Sequence, residues 1–151
     1  MTELRVTPVG GPGDLAAALA IREVVFIEEA AIDPEFERDA LDRSAYHVVA
    51  WQGGHAIGTG RLIPGDEIPP GQWGTWARIG RMAVLAKHRK GGVGRKLLAA
   101  LETQARADGA AGIVLHAQVH ARGFYDRLGY AAYGDPFDEA GVAHVRMFKK
   151  F

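Results

Sequence analysis

The residues best suited to chemistry lie in a basic, glycine-rich stretch in the second half of the chain. Residues 78–96 contain seven Lys or Arg side chains and no Asp or Glu. Within this stretch Gly91, Gly92 and Gly94 follow an apolar run and precede a helical pattern, which predicts a turn that leads into a helix. The first turn of a helix has unpaired N–H groups and a partial positive charge, and glycine lets an anion come close. The pattern therefore indicates a ligand that carries phosphate.

Two common phosphate-binding loops do not match this stretch. A Walker loop requires Ser or Thr after its Gly-Lys pair, whereas Gly94 is followed by Arg95 and Lys96. The dinucleotide fingerprint requires a third glycine at the position of Leu97. The alternative that the residues leave open is a basic loop that only caps a helix, and seven cations without an acid disfavour it.

The elements that must position these residues form a mixed sheet with helices. Alternating apolar residues predict strands, and apolar residues at helical spacing predict helices. Residues 66–75, with two prolines and two glycines, are expected to form a surface loop. Paired strands with interspersed helices give an α/β or α+β class. The predicted strands are residues 4–8, 46–51, 55–63, 78–85, 113–115, 130–133 and 144–148, and the predicted helices are residues 15–30, 91–107 and 121–128.

Composition excludes several classes of protein. The chain has 151 residues, is 48% hydrophobic and carries 18 basic and 18 acidic side chains, which is typical of one folded domain over residues 1–151. It has no cysteine, so a thiol nucleophile, a thiolate metal site and a disulfide framework are excluded. We find no apolar run of ~20 residues and no leader pattern, and expect a cytoplasmic protein that does not bind membranes. A net charge of zero argues against nucleic acid as a partner.

The zero net charge conceals two oppositely charged segments. Residues 28–43 hold seven acidic and two basic side chains, in contrast to the basic residues 78–96. Because charge of one sign attracts ligands of the other, the basic segment is expected to bind an anion and the acidic segment to accept a cation.

Two motifs in this order resemble those of the GNAT family of acetyl-CoA-dependent N-acetyltransferases. The pattern Arg89-x-x-Gly92-x-Gly94 resembles the pyrophosphate loop of that family. Residues 121–130, Ala-Arg-Gly-Phe-Tyr-Asp-Arg-Leu-Gly-Tyr, are similar to its later Ala-x-x-Phe/Leu-Tyr-x-x-x-Gly-Phe segment. More narrowly, four segments resemble the ElaA-type branch of the family: residues 22–29, 116–120, 124–125 and 137–144.

The resemblance implies the GNAT acyl-CoA N-acyltransferase fold, a mostly antiparallel sheet that is splayed at the cofactor site and flanked by helices. It implies transfer of an acetyl group from acetyl-CoA to the amine of a small molecule or peptide, by direct attack in a ternary complex and without a metal. A homodimer is left open. The residues implied to hold the cosubstrate are Met82, Ala83, Val84, Arg89, Lys90, Gly91, Gly92, Val93, Gly94, Arg95, Gln118, Phe124 and Tyr125.

Tyr125 and Glu29 are the predicted catalytic residues. A free amine has a pKa of ~10.4, so removing its proton near neutral pH costs about 4 kcal/mol and needs an acceptor. The candidates for that base are Glu28, Glu29, Asp42, His47, His116, His120 and His144, the histidines because their ordinary pKa lies near neutral pH. We favour Glu29, acting through water, and expect Tyr125 to hydrogen-bond the thiolate and complete proton transfer late. For Tyr125 the alternative is a buried helix aromatic, which the family match disfavours. The residues expected to bind the acceptor are Phe26, Glu29, Asp42, His47, His116, His120 and His144.

Other functions stay open as alternatives. The spacing of His116 and His120 suggests a metal pair, but no helix is predicted to span them and no carboxylate is near in sequence, so no metal is expected. A non-catalytic acyl-CoA-binding or sensor domain on the same fold is the second hypothesis, since a fold does not determine function. A nucleic-acid-binding module ranks last.

Overall fold

The protein is described by a computed structural model that covers residues 3–151. Within this range no helix is long and apolar enough to cross a membrane. The strands are β1 (Leu4–Pro8), β2 (Tyr46–Gln52), β3 (His55–Pro64), β4 (Trp76–Val84), β5 (Gly112–Gln118), β6 (Ala131–Glu139) and β7 (Val142–Lys150). The α-helices are α1 (Pro12–Arg22), α2 (Pro34–Glu37), α3 (Val93–Ala107) and α4 (Arg122–Arg127), with a π-helical segment at Glu23–Glu29 and 3₁₀ turns at Ala40–Arg43, Ala86–His88 and Val119–Ala121.

The seven strands form one sheet in the order β1-β2-β3-β4-β5-β7-β6. Every neighbouring pair is antiparallel except β4 and β5, which are parallel. Parallel neighbours cannot be joined by a tight hairpin, and α3 lies in the connection between them. The predicted mixed α/β class with a mostly antiparallel sheet is confirmed.

The pairing of β4 with β5 is short. It runs only from Trp76 opposite Gly112 to Arg78 opposite Val114. Beyond these residues β4 follows β3 and β5 follows β7. The two strands therefore diverge and leave a gap in the middle of the sheet.

A β-bulge lies in β4 at the edge of this gap. Its pairing with β3 shifts register so that Arg81 and Met82 together face Gly60. Arg81 has φ +52°, a left-handed conformation that is uncommon for a side-chain-bearing residue. A bulge re-aims side chains, and here it directs Arg81 away from the regular alternation of the strand.

Helix α3 packs closely on β3 because β3 has glycine at the contact. Leu97 and Leu101 of α3 are fully buried. A Cβ on Gly58 would lie 3.0 Å from Leu97 Cδ1, and one on Gly60 would lie 2.8 Å from Leu101 Cδ1. Side chains at these positions would push the helix outward, so the glycines determine where the start of α3 lies relative to the gap.

The first helix and the last two strands differ from the prediction. The single α-helix expected over residues 15–30 was wrong in its second half, because α1 ends at Arg22 and the chain continues as a π-helix. Asp14, the expected N-cap, lies inside α1 and accepts a hydrogen bond from the Gly10 N–H at 3.1 Å. The last two strands are longer than predicted, because residues 137–139 pair with residues 142–144, and Lys149 and Lys150 pair with β5.

Candidate active site

A cavity of about 1020 Å³ opens where β4 and β5 diverge. Both diverging strands, the π-helical segment and the first turns of α3 and α4 contribute to its lining. This volume is at the upper end of the range for small-molecule sites. Most residues predicted from the sequence line it, namely Phe26, Glu29, Met82, Ala83, Val84, Arg89, Lys90, Gly92, Val93, Gly94, Arg95, His116, Gln118, His120, Phe124, Tyr125 and His144.

The turn before α3 has the features of an anion site. Gly92 has φ +82° and is the N-cap of α3, and no side chain caps the helix. The first-turn N–H groups of Val93, Gly94 and Arg95 therefore keep the open donors that a helix start provides. A Cβ at Gly92 would meet nothing within 4 Å, so the space before the turn is free. The turn can accept a diphosphate.

Arg89 and Glu29 form an ion pair across this end of the cavity. Arg89 Nη1 and Nη2 donate to Glu29 Oε1 and Oε2 at 2.6 and 2.8 Å, and Arg89 Nε donates to the Val84 carbonyl at 2.9 Å. The hydrogen bond from Arg89 lowers the pKa of Glu29 below its ordinary value. A carboxylate with a lowered pKa is a weak proton acceptor, so this geometry does not favour Glu29 as the base.

Tyr125 is buried and packs between two aromatic rings. Phe124 and Tyr130 meet it edge-on with centroids 5.0 and 5.8 Å away. Burial raises the pKa of Tyr125 to about 12. Its hydroxyl therefore stays protonated at neutral pH and can donate a hydrogen bond into the cavity that it lines. Gly94 lets α4 approach, because a Cβ there would lie 3.2 Å from Phe124 Cζ.

Three predicted site residues lie outside the lining of the cavity. Gly91 is exposed on the turn. Asp42 and His47 are buried instead: Asp42 accepts from Arg22 Nη1 at 2.8 Å and from Arg61 Nη1 at 3.0 Å, and His47 Nε2 lies 2.9 Å from the Asp42 carbonyl oxygen. The structure thus brings Asp42 and His47 into an ion-pair network rather than to an acceptor.

The same network supplies a wall of the cavity that the sequence reasoning missed. Arg81 Nε donates to the Glu37 carbonyl at 2.8 Å, and Arg81 Nη2 lies 3.3 Å from Asp39 Oδ2. Glu37 is buried and contacts Arg22. No local pattern marks Arg81, because its role depends on the bulge in β4.

The opposite wall centres on His116 of β5. His116 Nε2 lies 3.0 Å from Glu67 Oε1, and Nδ1 lies 3.0 Å from Glu139 Oε1 and 2.9 Å from Arg78 Nη2. His144 Nδ1 donates to the Val142 carbonyl at 2.7 Å. The two carboxylates flank different nitrogens and do not converge, and in the described range 3–151 no group of three or more His, Cys, Asp or Glu could hold a metal.

Sequence reasoning had no signal for these partners of His116. Glu67 is 49 residues from His116 in sequence and lies in the loop at residues 65–75, which is polar, rich in glycine and proline, and resembles any surface loop. Arg78 and Glu139 are the last residues of pairings whose register depends on the whole sheet.

Comparisons with known proteins agree with this geometry. The family model of the acetyltransferase (GNAT) domain matches residues 18–151. The chain is 35% identical over 136 residues to YjcF of Bacillus subtilis strain 168, an uncharacterized N-acetyltransferase, with 89% of this chain and 91% of that protein covered.

Solved structures share the fold over almost the whole chain. ElaA of Escherichia coli is 25% identical with a TM-score of 0.79, covering 99% of this chain and 100% of that one. A GNAT family acetyltransferase from Brucella melitensis, crystallised in complex with acetyl-CoA, is 25% identical with a TM-score of 0.74, covering 99% and 88%. The acyl-CoA N-acyltransferase fold implied by the sequence motifs is confirmed, and with it acyl-CoA-dependent acetyl transfer as the general activity of the family. The chain belongs to the acetyltransferase (GNAT) domain family.

Proposed function

We propose that this protein transfers an acetyl group from acetyl-CoA to the amine of a small molecule, by direct attack in a ternary complex. One observation carries the proposal: a single cavity is lined by the open turn at Gly92, by Tyr125 and by a polar wall that includes His116. The turn suits the diphosphate, Tyr125 suits the leaving sulfur, and the polar wall suits an amine acceptor.

The chain's own residues would hold the cosubstrate along the gap in the sheet. Beyond Arg78 the inner edge of β4 has no strand partner in the described part of the chain. Backbone groups of Met82, Ala83 and Val84 can therefore pair with an extended arm, as an added strand would. Gln118, on β5, and Phe124, on α4, line the same cavity.

The reaction needs a proton acceptor and a stabilised leaving group. Attack of the amine nitrogen on the thioester carbonyl carbon forms a C–N bond, breaks the C–S bond and releases thiolate. The thiol of CoA has a pKa of ~8.5, whereas the pKa of Tyr125 is about 12. Full transfer of the Tyr125 proton to the thiolate is therefore uphill. Tyr125 therefore stabilises the thiolate as a hydrogen-bond donor.

The acceptor would lie between the two polar walls of the cavity. Phe26 provides an apolar surface, and His120 and His144 provide polar groups at the same cavity. Glu29 also lines it, but its ion pair with Arg89 leaves it poorly suited to take the proton.

A thiol-release assay tests the proposal. Purified protein with acetyl-CoA should release CoA thiol only when an amine is added, from a panel of polyamines, aminosugars and amino acids. If calorimetry detects binding of acetyl-CoA but no amine of the panel causes release of the CoA thiol, the proposed acetyl transfer is overturned. That result would favour a non-catalytic acyl-CoA-binding domain.

The variant Tyr125→Phe should lower kcat roughly 10- to 100-fold, because one hydrogen bond to a charged group is worth about 1.5–3 kcal/mol. The KM for acetyl-CoA should change little, since the hydroxyl acts on charge that develops during the reaction. Tyr46→Phe, which removes a hydroxyl from β2 outside the cavity, is the matched control. An unchanged kcat in Tyr125→Phe would remove Tyr125 from this role.

A further inference from the structure

Gly80 of β4 leaves an open space between the two polar walls of the cavity. It lines the cavity, and a Cβ built on it would meet no described atom beyond its chain neighbours within 4 Å. Its backbone is not in the left-handed conformation, so the turn of the chain does not require glycine here. The missing side chain therefore leaves room for a ligand.

Three arginines surround this space. Arg61 of β3 is the cross-strand partner of Gly80, so both lie on one face of the sheet. Arg78 precedes Gly80 by two residues and therefore lies on the same face. The bulge adds Arg81 to this face, because Arg81 Nη2 and Arg61 Nη1 both contact Asp39, at 3.3 and 2.7 Å. All three arginines line the cavity.

Arg81 has one nitrogen left for a ligand. Its Nε donates to the Glu37 carbonyl at 2.8 Å, and its Nη2 lies 3.3 Å from the Phe36 carbonyl oxygen and 3.3 Å from Asp39 Oδ2. Among residues 3–151, Arg81 Nη1 has no hydrogen-bond partner, and it is not shut off from solvent. This N–H group can donate to a ligand in the cavity.

The surroundings of Arg81 carry too little negative charge. Burial lowers the pKa of Arg81, and repulsion by Arg61 and Arg22 lowers it further. This repulsion outweighs the attraction of Asp39 and Glu37. An anion bound beside the guanidinium would correct the imbalance, because an opposite charge favours the charged form.

Arg78 and Glu139 make incompatible demands on one nitrogen of His116. Arg78 Nη2 lies 2.9 Å from His116 Nδ1, and Glu139 Oε1 lies 3.0 Å from the same atom. A guanidinium only donates and needs a lone pair on Nδ1, whereas an ionised carboxylate only accepts and needs Nδ1–H. One of the two contacts therefore lacks its hydrogen bond. An anion that accepts from Arg78 removes the conflict, since Nδ1–H can then donate to Glu139.

We infer that the space over Gly80 binds a carboxylate of the acceptor through Arg78 and Arg81, so that the acceptor is an amino acid. This inference rests on the acetyl transfer proposed above and narrows its acceptor from amines to amines that carry a carboxylate. A guanidinium binds a carboxylate through two parallel hydrogen bonds. Because Asp39 and Glu139 are themselves anionic, the site favours a single negative charge over a phosphate dianion. The products are the N-acetyl amino acid, CoA and one proton.

Pairs of acceptors that differ in one charge test the inference. Each amino acid of the panel is compared with its carboxamide, which keeps the amine and the side chain. The kcat/KM of the wild type should be roughly 10- to 100-fold higher for the acid, because the carboxamide loses the charge-assisted hydrogen bonds. Without such a site the order would be reversed for α-amino acids, since the amine of the carboxamide loses its proton more readily. Carboxamides, polyamines or aminosugars that serve as well as every amino acid would overturn the inference.

Two variants test the space and its guanidinium. Gly80→Ala fills the space without a clash, and Arg81→Gln removes the donor. Each should lower kcat/KM for the acid roughly 10-fold more than for its carboxamide. The controls are Gly13→Ala in α1, where a Cβ also meets nothing within 4 Å, and Arg5→Gln, which is exposed on β1. A wild-type preference for the acid in both Gly80→Ala and Arg81→Gln would contradict the assignment.

The kind of anion is tested in the same assay. The aminophosphonate analogue of the preferred amino acid carries up to two negative charges on a tetrahedral group. It should be the poorer acceptor, because the carboxylates near the space repel a second charge. An equal or higher kcat/KM for the aminophosphonate would overturn the choice of a carboxylate.

Binding of the product gives a readout that does not depend on turnover. An N-acetyl amino acid keeps the carboxylate and has no reactive amine. Calorimetry in the presence of CoA should detect the N-acetyl amino acid but not its carboxamide, and Gly80→Ala should raise its Kd roughly 10-fold. Equal Kd values for acid and carboxamide in the wild type would overturn the inference. If no amine causes thiol release, the proposed function fails; if amines without a carboxylate serve equally well, only the acceptor assignment fails.

Discussion

Arg89, beside the turn proposed to bind the diphosphate, already has an anionic partner. Both oxygens of Glu29 accept from its guanidinium, and the pair is partly exposed to solvent. The hydrogen bonds that Arg89 donates to Glu29 raise the pKa of Arg89 above its ordinary value. A diphosphate that approaches the turn therefore competes with a carboxylate for the same guanidinium.

Glu29→Gln should lower the KM for acetyl-CoA a few-fold, because removing the competing carboxylate frees Arg89 and an exposed ion pair is weak. Initial rates at varied acetyl-CoA give KM and kcat separately. Glu28→Gln, the exposed neighbour, is the control. A fall in kcat of about 10²-fold or more with constant KM would instead make Glu29 the base.

At the scale of single residues, sequence patterns located the side chains at the cavity more reliably than the residues that those side chains contact. Tyr125, Gly92 and Gly94 line the cavity, as their motifs indicated, whereas Gly91 does not. Asp42 and His47 were chosen for their chemistry alone, and they lie in a buried network with Arg22. Which charged groups pair depends on strand register and loop path, and no local pattern records either.

At the scale of elements, the first helix changes its winding halfway. The π-helical turn at Glu23–Glu29 places Val25, Phe26 and Glu29 on the cavity. Its residues are apolar at spacings that an α-helix would also show, so periodicity predicted an uninterrupted α-helix. The π-helix could not be predicted from that pattern.

Gly92→Ala should destabilise the turn, because φ +82° costs a residue with a Cβ about 1–2 kcal/mol while the space around it is open. The variant should unfold at lower denaturant concentration and bind acetyl-CoA more weakly by calorimetry. Gly54→Ala, at φ +80° in the β2–β3 turn and also in open space, carries the same backbone cost away from the cavity. Equal Kd values for the two variants would show that the turn does not grip the ligand.

At the scale of the molecule, the two oppositely charged segments face each other. Glu29 pairs with Arg89, and Asp39 lies 3.3 Å from Arg81 Nη2. The expectation that residues 28–43 would attract a cation overlooked this, since much of their charge is matched by arginines. Composition could locate both segments, but only the folded chain shows that they neutralise one another.

The stability of the protein should fall in acid through the same network. Its arginine partners lower the pKa of Asp42 from 3.8 to about 2, despite the opposing effect of burial. A lowered pKa stabilises the fold fully above the ordinary value, and this contribution is lost as pH falls from about 4 to 2. Denaturant unfolding at a series of pH values measures it.

Asp42→Asn should reduce the free energy of unfolding at neutral pH by about 3–5 kcal/mol, because it leaves Arg22 buried without one of its partners. The variant should also lose the part of the acid dependence between pH 4 and 2 that Asp42 contributes. Asp135→Asn, an exposed carboxylate on β6, is the control and should retain that dependence. Parallel pH profiles for both variants would contradict the assignment.

The short seam between β4 and β5 has a wider consequence. Only three residue pairs join two antiparallel halves of the sheet. Exposed strand edges readily pair with strands of other molecules. The free edges of β4 and β5 instead face the cavity, which suits a narrow, extended ligand. A ligand that binds only the folded form raises the free energy of unfolding in proportion to the logarithm of the ligand concentration. The lifetime of such a protein in a cell would then follow the metabolic supply of the compound that completes its sheet.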